Sequence, residues 1–126
     1  MSAYAERFFA LNAIDKDGVS YRETLEGLLE RSRKPERVAF YESELALPSM
    51  PMALAYLWRA YHRLRRRKGG TGFGPSPIEW PDIDAFVRNS RFQLRPWEIE
   101  VIEMIDDLYL AEQARQYRAA QNDKPK

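Results

Sequence analysis

Cysteine is absent from the 126 residues, and with it go disulfides, thiolate nucleophiles and every zinc or iron–sulfur site that needs sulfur ligands. Histidine occurs once, at His62, too few for a histidine-based metal site. An excess of charge is missing as well. The 20 Lys and Arg stand against 19 Asp and Glu, a net charge of +1, so no global field draws the chain onto nucleic acid or an anionic membrane. No stretch approaches the roughly 20 apolar residues that span a bilayer. At the N-terminus the charged pair Glu6-Arg7 arrives before an apolar run of signal-peptide length develops. The expectation is a soluble protein that stays where it is made, in a reducing cytoplasm, and whose partners are selected by local patches.

What is present is enough to fold. Hydrophobic residues make up 44% and aromatic ones 13%, above the level of a disordered tail and right for one modest core. Spacing of three and four residues runs from end to end, whereas alternating patterns of useful length are missing. Tyr4, Phe8 and Leu11, flanked by Phe9, suggest a first helix ending near the turn Asp15-Lys16-Asp17-Gly18. Ser20-Tyr21-Arg22-Glu23 has the form of a capping box and opens a helix with Tyr21, Leu25, Leu28 and Leu29 on one face. Lys34-Pro35-Glu36 starts a third through Val38, Tyr41 and Leu45, which Pro48 and Pro51 close. Over residues 52–66, Leu54, Leu57, Trp58, Tyr61 and Leu64 form an apolar stripe, with Arg59, His62, Arg63 and Arg66 assigned to the polar face.

Residues 67–77, rich in glycine and proline, read as a mobile connector. Beyond it, Trp80-Pro81 and Arg95-Pro96-Trp97 each place a proline at a helix start, where its fixed φ fits and its missing N–H has no helical partner. Asp82 and Asp84, and then Glu98 and Glu100, suit the positive ends of the two helix dipoles. The shorter helix should turn Ile83, Phe86 and Val87 inward. The longer one, ending near residue 118, should bury Trp97, Val101, Ile105 and Leu108, with Ile102 and Tyr109 widening the stripe. Trp58, Trp97, Ile105 and Leu108 are thus expected to be core or helix-pair contacts rather than ligand groups. The predicted architecture is an all-α single domain of five to six helices: N-terminal helices over 1–66, a connector over 67–79, a C-terminal helix pair over 80–118 and a frayed polar tail over 119–126.

None of the apparent motifs supports a reaction. With Asp15 as the first position of an EF-hand loop, the required glycine is Ser20; with Gly18 as that glycine, the bidentate glutamate is Thr24. The segment is read as a turn and a helix cap. Gly69-Gly70-Thr71-Gly72-Phe73-Gly74 lacks the Gly-Lys-Ser/Thr of a P-loop and follows an arginine-rich helix rather than a strand. His62 has neither a local carboxylate nor a nucleophile and is read as solvent-facing. Asp106 and Asp107 diverge by about 100° on a helix and do not face one substrate; they are read as a solvated edge with one residue pairing to an arginine. No catalytic, cofactor-binding or metal-binding residues are expected. The basic run Arg63, Arg65, Arg66, Arg67 and Lys68 meets a comparably acidic long helix carrying Glu98, Glu100, Glu103, Asp106, Asp107 and Glu112. The two faces are placed to neutralise each other within the fold or across a dimer.

The segments Leu47-Pro48, Ala53-Leu54-Ala55-Tyr56-Leu57-Trp58-Arg59-Ala60-Tyr61, Pro77-Ile78-Glu79-Trp80-Pro81-Asp82-Ile83-Asp84-Ala85-Phe86, Leu94-Arg95-Pro96-Trp97-Glu98 and Ile105-Asp106-Asp107-Leu108-Tyr109-Leu110-Ala111 together resemble small tail-assembly proteins of long-tailed bacteriophages and prophages. Residues 1–46 lie outside the resemblance. It implies a helical, non-enzymatic tail assembly chaperone, made in the cytoplasm of an infected or lysogenic bacterium. Such a chaperone keeps the tape-measure protein soluble, brings tail-tube subunits to it, is usually left out of the virion, and in many phages is one of a frameshift pair. The expected partners are the tape-measure and tail-tube proteins or a second copy of the chain. The residues assigned to partner binding are Arg59, Arg63, Arg66, Arg67, Phe73, Trp80, Trp97, Glu98 and Asp106. The alternative is a small nucleic-acid-binding or regulatory protein that uses the basic patch over residues 59–68.

Overall fold

The structure, a computed structural model, describes residues 1–15 and 17–122. Those residues contain six α-helices: α1 Ser2–Leu11, α2 Tyr21–Arg31, α3 Pro35–Leu45, α4 Ala55–Arg67, α5 Trp80–Ser90 and α6 Pro96–Asn122. A single 3₁₀ turn, Met52–Leu54, leads into α4. The all-α expectation holds, and the helix starts fall where proline and capping residues placed them. Pro35 and Pro81 occupy first-turn positions of α3 and α5, and Pro96 opens α6. Ser20 caps α2 by accepting the Glu23 N–H at 3.1 Å. Asp15 holds the preceding turn by accepting from the N–H groups of Asp17 and Val19 at 2.9 and 3.0 Å.

The core is built from α1, α4, α5 and α6. Ala5 and Phe9 of α1, Leu57, Trp58, Ala60, Tyr61 and Leu64 of α4, Ile83 of α5, and Ile102 and Ile105 of α6 form one buried cluster. The long helix packs chiefly on α1 and α4, and α5 packs on α4. The two C-terminal helices are therefore consecutive in sequence but are not each other's main support. The α2–α3 hairpin sits to one side. Nothing in α3 is buried, and an Arg7–Glu44 ion pair at 3.1 Å ties its end to α1.

Three expectations change. The connector is not irregular throughout: it folds into a two-stranded antiparallel hairpin, β1 Gly70–Thr71 and β2 Gly74–Pro75. Gly70 is required there, because a Cβ would lie 2.8 Å from the Gly74 carbonyl oxygen. The long helix runs through Asn122, so residues 119–122 of the expected tail are helical, while residues 123–126 lie outside the described residues. Its buried stripe is also rotated. Ile105 is fully buried and Leu108 packs at the core's edge as expected, but Trp97 is 47% exposed and the inward positions are Glu98, Ile102, Ile105 and Asp106.

Candidate functional site

Two carboxylates inside a helical core need partners, since an unpaired buried charge is costly. Asp106, only 3% exposed, has them from three directions. Its Oδ1 accepts from the Tyr61 hydroxyl at 2.9 Å and from the Arg65 guanidinium at 2.8 Å. Its Oδ2 accepts from the Ile78 backbone N–H at 2.8 Å. Arg65, whose side chain is 9% exposed against 5% for its partner's, also donates to the Ser76 carbonyl at 2.5 Å and lies 5.2 Å from the centre of the Tyr109 ring. One carboxylate thus joins α4, α6 and the segment between the hairpin and α5. Burial, and then the adjacent Asp106 charge, push the Tyr61 hydroxyl far above its usual range, so it remains a donor.

Glu98, 6% exposed, plays the same part at the start of α6. It accepts from the Arg95 N–H at 2.8 Å and from the Tyr56 hydroxyl at 2.5 Å. The Tyr56 hydrogen bond first, and then the Arg95 N–H, hold its carboxyl below the usual range. Stability from this cap is present above the ordinary glutamate pKa and is lost as pH falls through the lowered one.

His62 is not on the solvent face. Its ring lies among Trp58, Tyr61, Phe8 and Phe9, 4.5 Å from the Trp58 ring centre, and its Nε2 is buried without a hydrogen-bond partner. Desolvation, and then the Arg66 charge, lower its pKa from 6.5. Above that value both the folded and unfolded states are neutral. As pH falls below it the unfolded chain takes the proton first, so stability declines toward the lower folded pKa. His62→Phe is expected to flatten this decline, with thermal unfolding dropping less between about pH 7 and about pH 5 than in the parent protein. Equal drops in the two proteins would show that the histidine does not carry it.

The remaining assigned residues are exposed, in separate places. Arg59, Arg63, Arg66 and Arg67 line the outer side of α4, and among the described residues none forms an ion pair. Trp80, 74% exposed, begins α5 beside a capping box between Glu79 and Asp82. Phe73, 87% exposed, tips the hairpin and lines a groove of about 690 Å³ with Tyr117 and Leu110 of α6. A second groove of about 690 Å³ runs between α4 and α5 and gathers Arg63, Arg66 and Arg67. Glu98 and Asp106 lie inside the fold, where internal hydrogen bonds occupy both. Sequence reasoning counted Arg65 only as one member of the basic run facing the acidic helix; its pairing with Asp106 fits that reading, but its place on the buried side of α4, four residues after Tyr61, was not assigned.

Among the described residues no group of three metal-ligating side chains occurs and no helix is long and apolar enough to cross a membrane. In comparisons with known proteins, the sequence model of a family described as phage tail assembly chaperone matches residues 30–111. That span runs from the end of α2 into α6 and includes the Asp106 network, both tryptophan-bearing helix starts and the basic face of α4. No curated protein and no solved structure matches the chain.

Proposed function

The chain belongs to the phage tail assembly chaperone family, and from that premise we propose that it binds the tape-measure protein or the tail-tube protein during tail assembly and holds it soluble in the cytoplasm of the bacterial host. The match over residues 30–111 carries this reading. Two features support it. Phe73, Trp80 and Trp97 are large apolar side chains left in solvent, and aromatic residues are among the commonest anchors of protein interfaces. Arg63, Arg66 and Arg67 have no internal counter-charge among the described residues and are positioned to choose and orient a partner. The action is binding, not catalysis, in keeping with the family.

The test is direct. Purified chain is mixed separately with the tape-measure and tail-tube proteins of the same phage and run on a sizing column. A complex with at least one of them is expected, weakened by Trp80→Ala or Trp97→Ala with little loss of stability, since both side chains are exposed. If neither complex forms, and duplex DNA binds with a steep salt dependence, the nucleic-acid reading takes its place.

A further inference from the structure

The α4–α5 groove has a chemistry that narrows what kind of segment it accepts, an inference that rests on the chaperone reading and specifies its contact. We propose that this groove receives an acidic amphipathic helix of the protein partner, whose carboxylates pair with Arg63, Arg66 and Arg67 while its apolar face lies on Leu64, Ala85 and Phe86. All six residues line the groove. Its apolar lining is Ala85 and Phe86 of α5 together with the nearly buried Leu64 of α4, and the α5 lining from Asp82 to Ser90 gives the groove a length of roughly 12 Å, about two helical turns.

The charge along the rim is uncompensated. Among the described residues Asp82 is the one carboxylate lining the groove, and it is already engaged, accepting from the Lys68 ammonium at 2.9 Å and from the Glu79 N–H at 2.8 Å. That ion pair leaves the arginines without an acid among the described residues. Arg63 is held against the wall, its guanidinium 5.6 Å from the Phe86 ring centre, with its planar fork matched to carboxylate geometry. Arginines in the last turn also complement the α4 dipole, but that role needs no apolar strip beneath them. A polyanionic duplex fits less well, because Arg65 and Lys68, which would lengthen a basic track, are committed to Asp106 and Asp82 and the net charge is only +1.

The probe is a labelled synthetic helix with leucine along one face and glutamate along the other, titrated into the full chain and compared with the same peptide carrying lysine in place of glutamate. The glutamate peptide is expected to bind, to protect the amides of α4 and α5 from hydrogen exchange, and to lose at least about tenfold in affinity to R63E/R66E/R67E. The lysine peptide should bind only that reversed variant. Should the reversed variant fail to fold, R63Q/R66Q/R67Q is expected to show a smaller loss in the same direction. The proposal is overturned by equal binding of the glutamate peptide to parent and variant, by no binding, by preference for duplex DNA, or by self-association of the chain that the reversals abolish. A tail protein that binds the reversed variant as tightly as the parent removes the groove assignment and leaves the chaperone reading intact. Failure of both tail proteins to bind the parent removes the chaperone reading itself, whatever the peptides do.

Discussion

Asp106→Ala is expected to lower the stability of the folded chain by about 3–5 kcal/mol, because it strands the Arg65 guanidinium in the interior without its counter-charge. The Tyr61 hydroxyl and the Ile78 N–H lose their acceptor in the same step, and each orphaned donor adds to the cost. For a chain of this size the loss corresponds to a drop in Tm of about 10–20 °C. The neighbouring Asp107 is exposed, so Asp107→Ala should stay within about 0.5 kcal/mol of the parent. Chemical denaturation of the two variants side by side measures the difference. Similar midpoints would mean that Asp106 and its partners are solvated and that the network does not hold the hairpin segment to α4 and α6. Replacing the pair together, Arg65→Met with Asp106→Leu, should recover part of the loss, since an apolar pair avoids the desolvation of two charges.

Phe9→Ala is expected to cost about 3–5 kcal/mol, even though α1 lies outside the span matched to the family. Phe9 is 7% exposed and touches the Trp58, Tyr61 and Tyr109 rings, with centres 5.7, 6.3 and 5.3 Å away. Its removal opens a cavity between α1, α4 and α6, which rigid helix backbones can only partly close. Phe40→Ala, on the unburied α3, should cost far less. If Phe9→Ala unfolds with the parent's midpoint, α1 is an appendage and residues 30–111 carry the core alone.

The helix starts were legible because their signals are local. Pro81 with Asp82, Pro96 with Glu98, and Ser20 with Glu23 each act within one turn, so a sequence window contains the whole interaction. The apolar stripe of α4 was legible for the same reason. The rotation of the α6 stripe was not, because apolar periodicity excludes Glu98 and Asp106 from the core, whereas their partners Tyr56, Tyr61, Arg65 and Ile78 come from elements 28 to 45 residues distant. A buried carboxylate is stabilised by donors that only the tertiary fold assembles. His62 was misplaced by the same logic, since its polarity assigned it to solvent while four aromatic rings enclose it. The hairpin has no alternating pattern because glycine backbones, not side chains, hold it together.

The site was legible in part. Arginines at positions 63, 66 and 67 stood out as part of a basic run, and Phe73 and Trp80 were assigned to partner binding without any local signal of their exposure. Nothing local indicated that α5 would supply an apolar wall opposite those arginines, or that Lys68 and Arg65 would be drawn off into internal ion pairs. The apolar wall and the Lys68 pair depend on how α5 folds back on α4 after the hairpin, and the Arg65 pair on how α6 packs against α4.

The chaperone reading is tested most directly by the soluble fraction of the tape-measure protein expressed in bacteria with and without this chain. The fraction is expected to rise several-fold on co-expression, and the gain should shrink when R63E/R66E/R67E is supplied instead. An unchanged soluble fraction for the tape-measure protein, repeated with the tail-tube protein, would contradict the account.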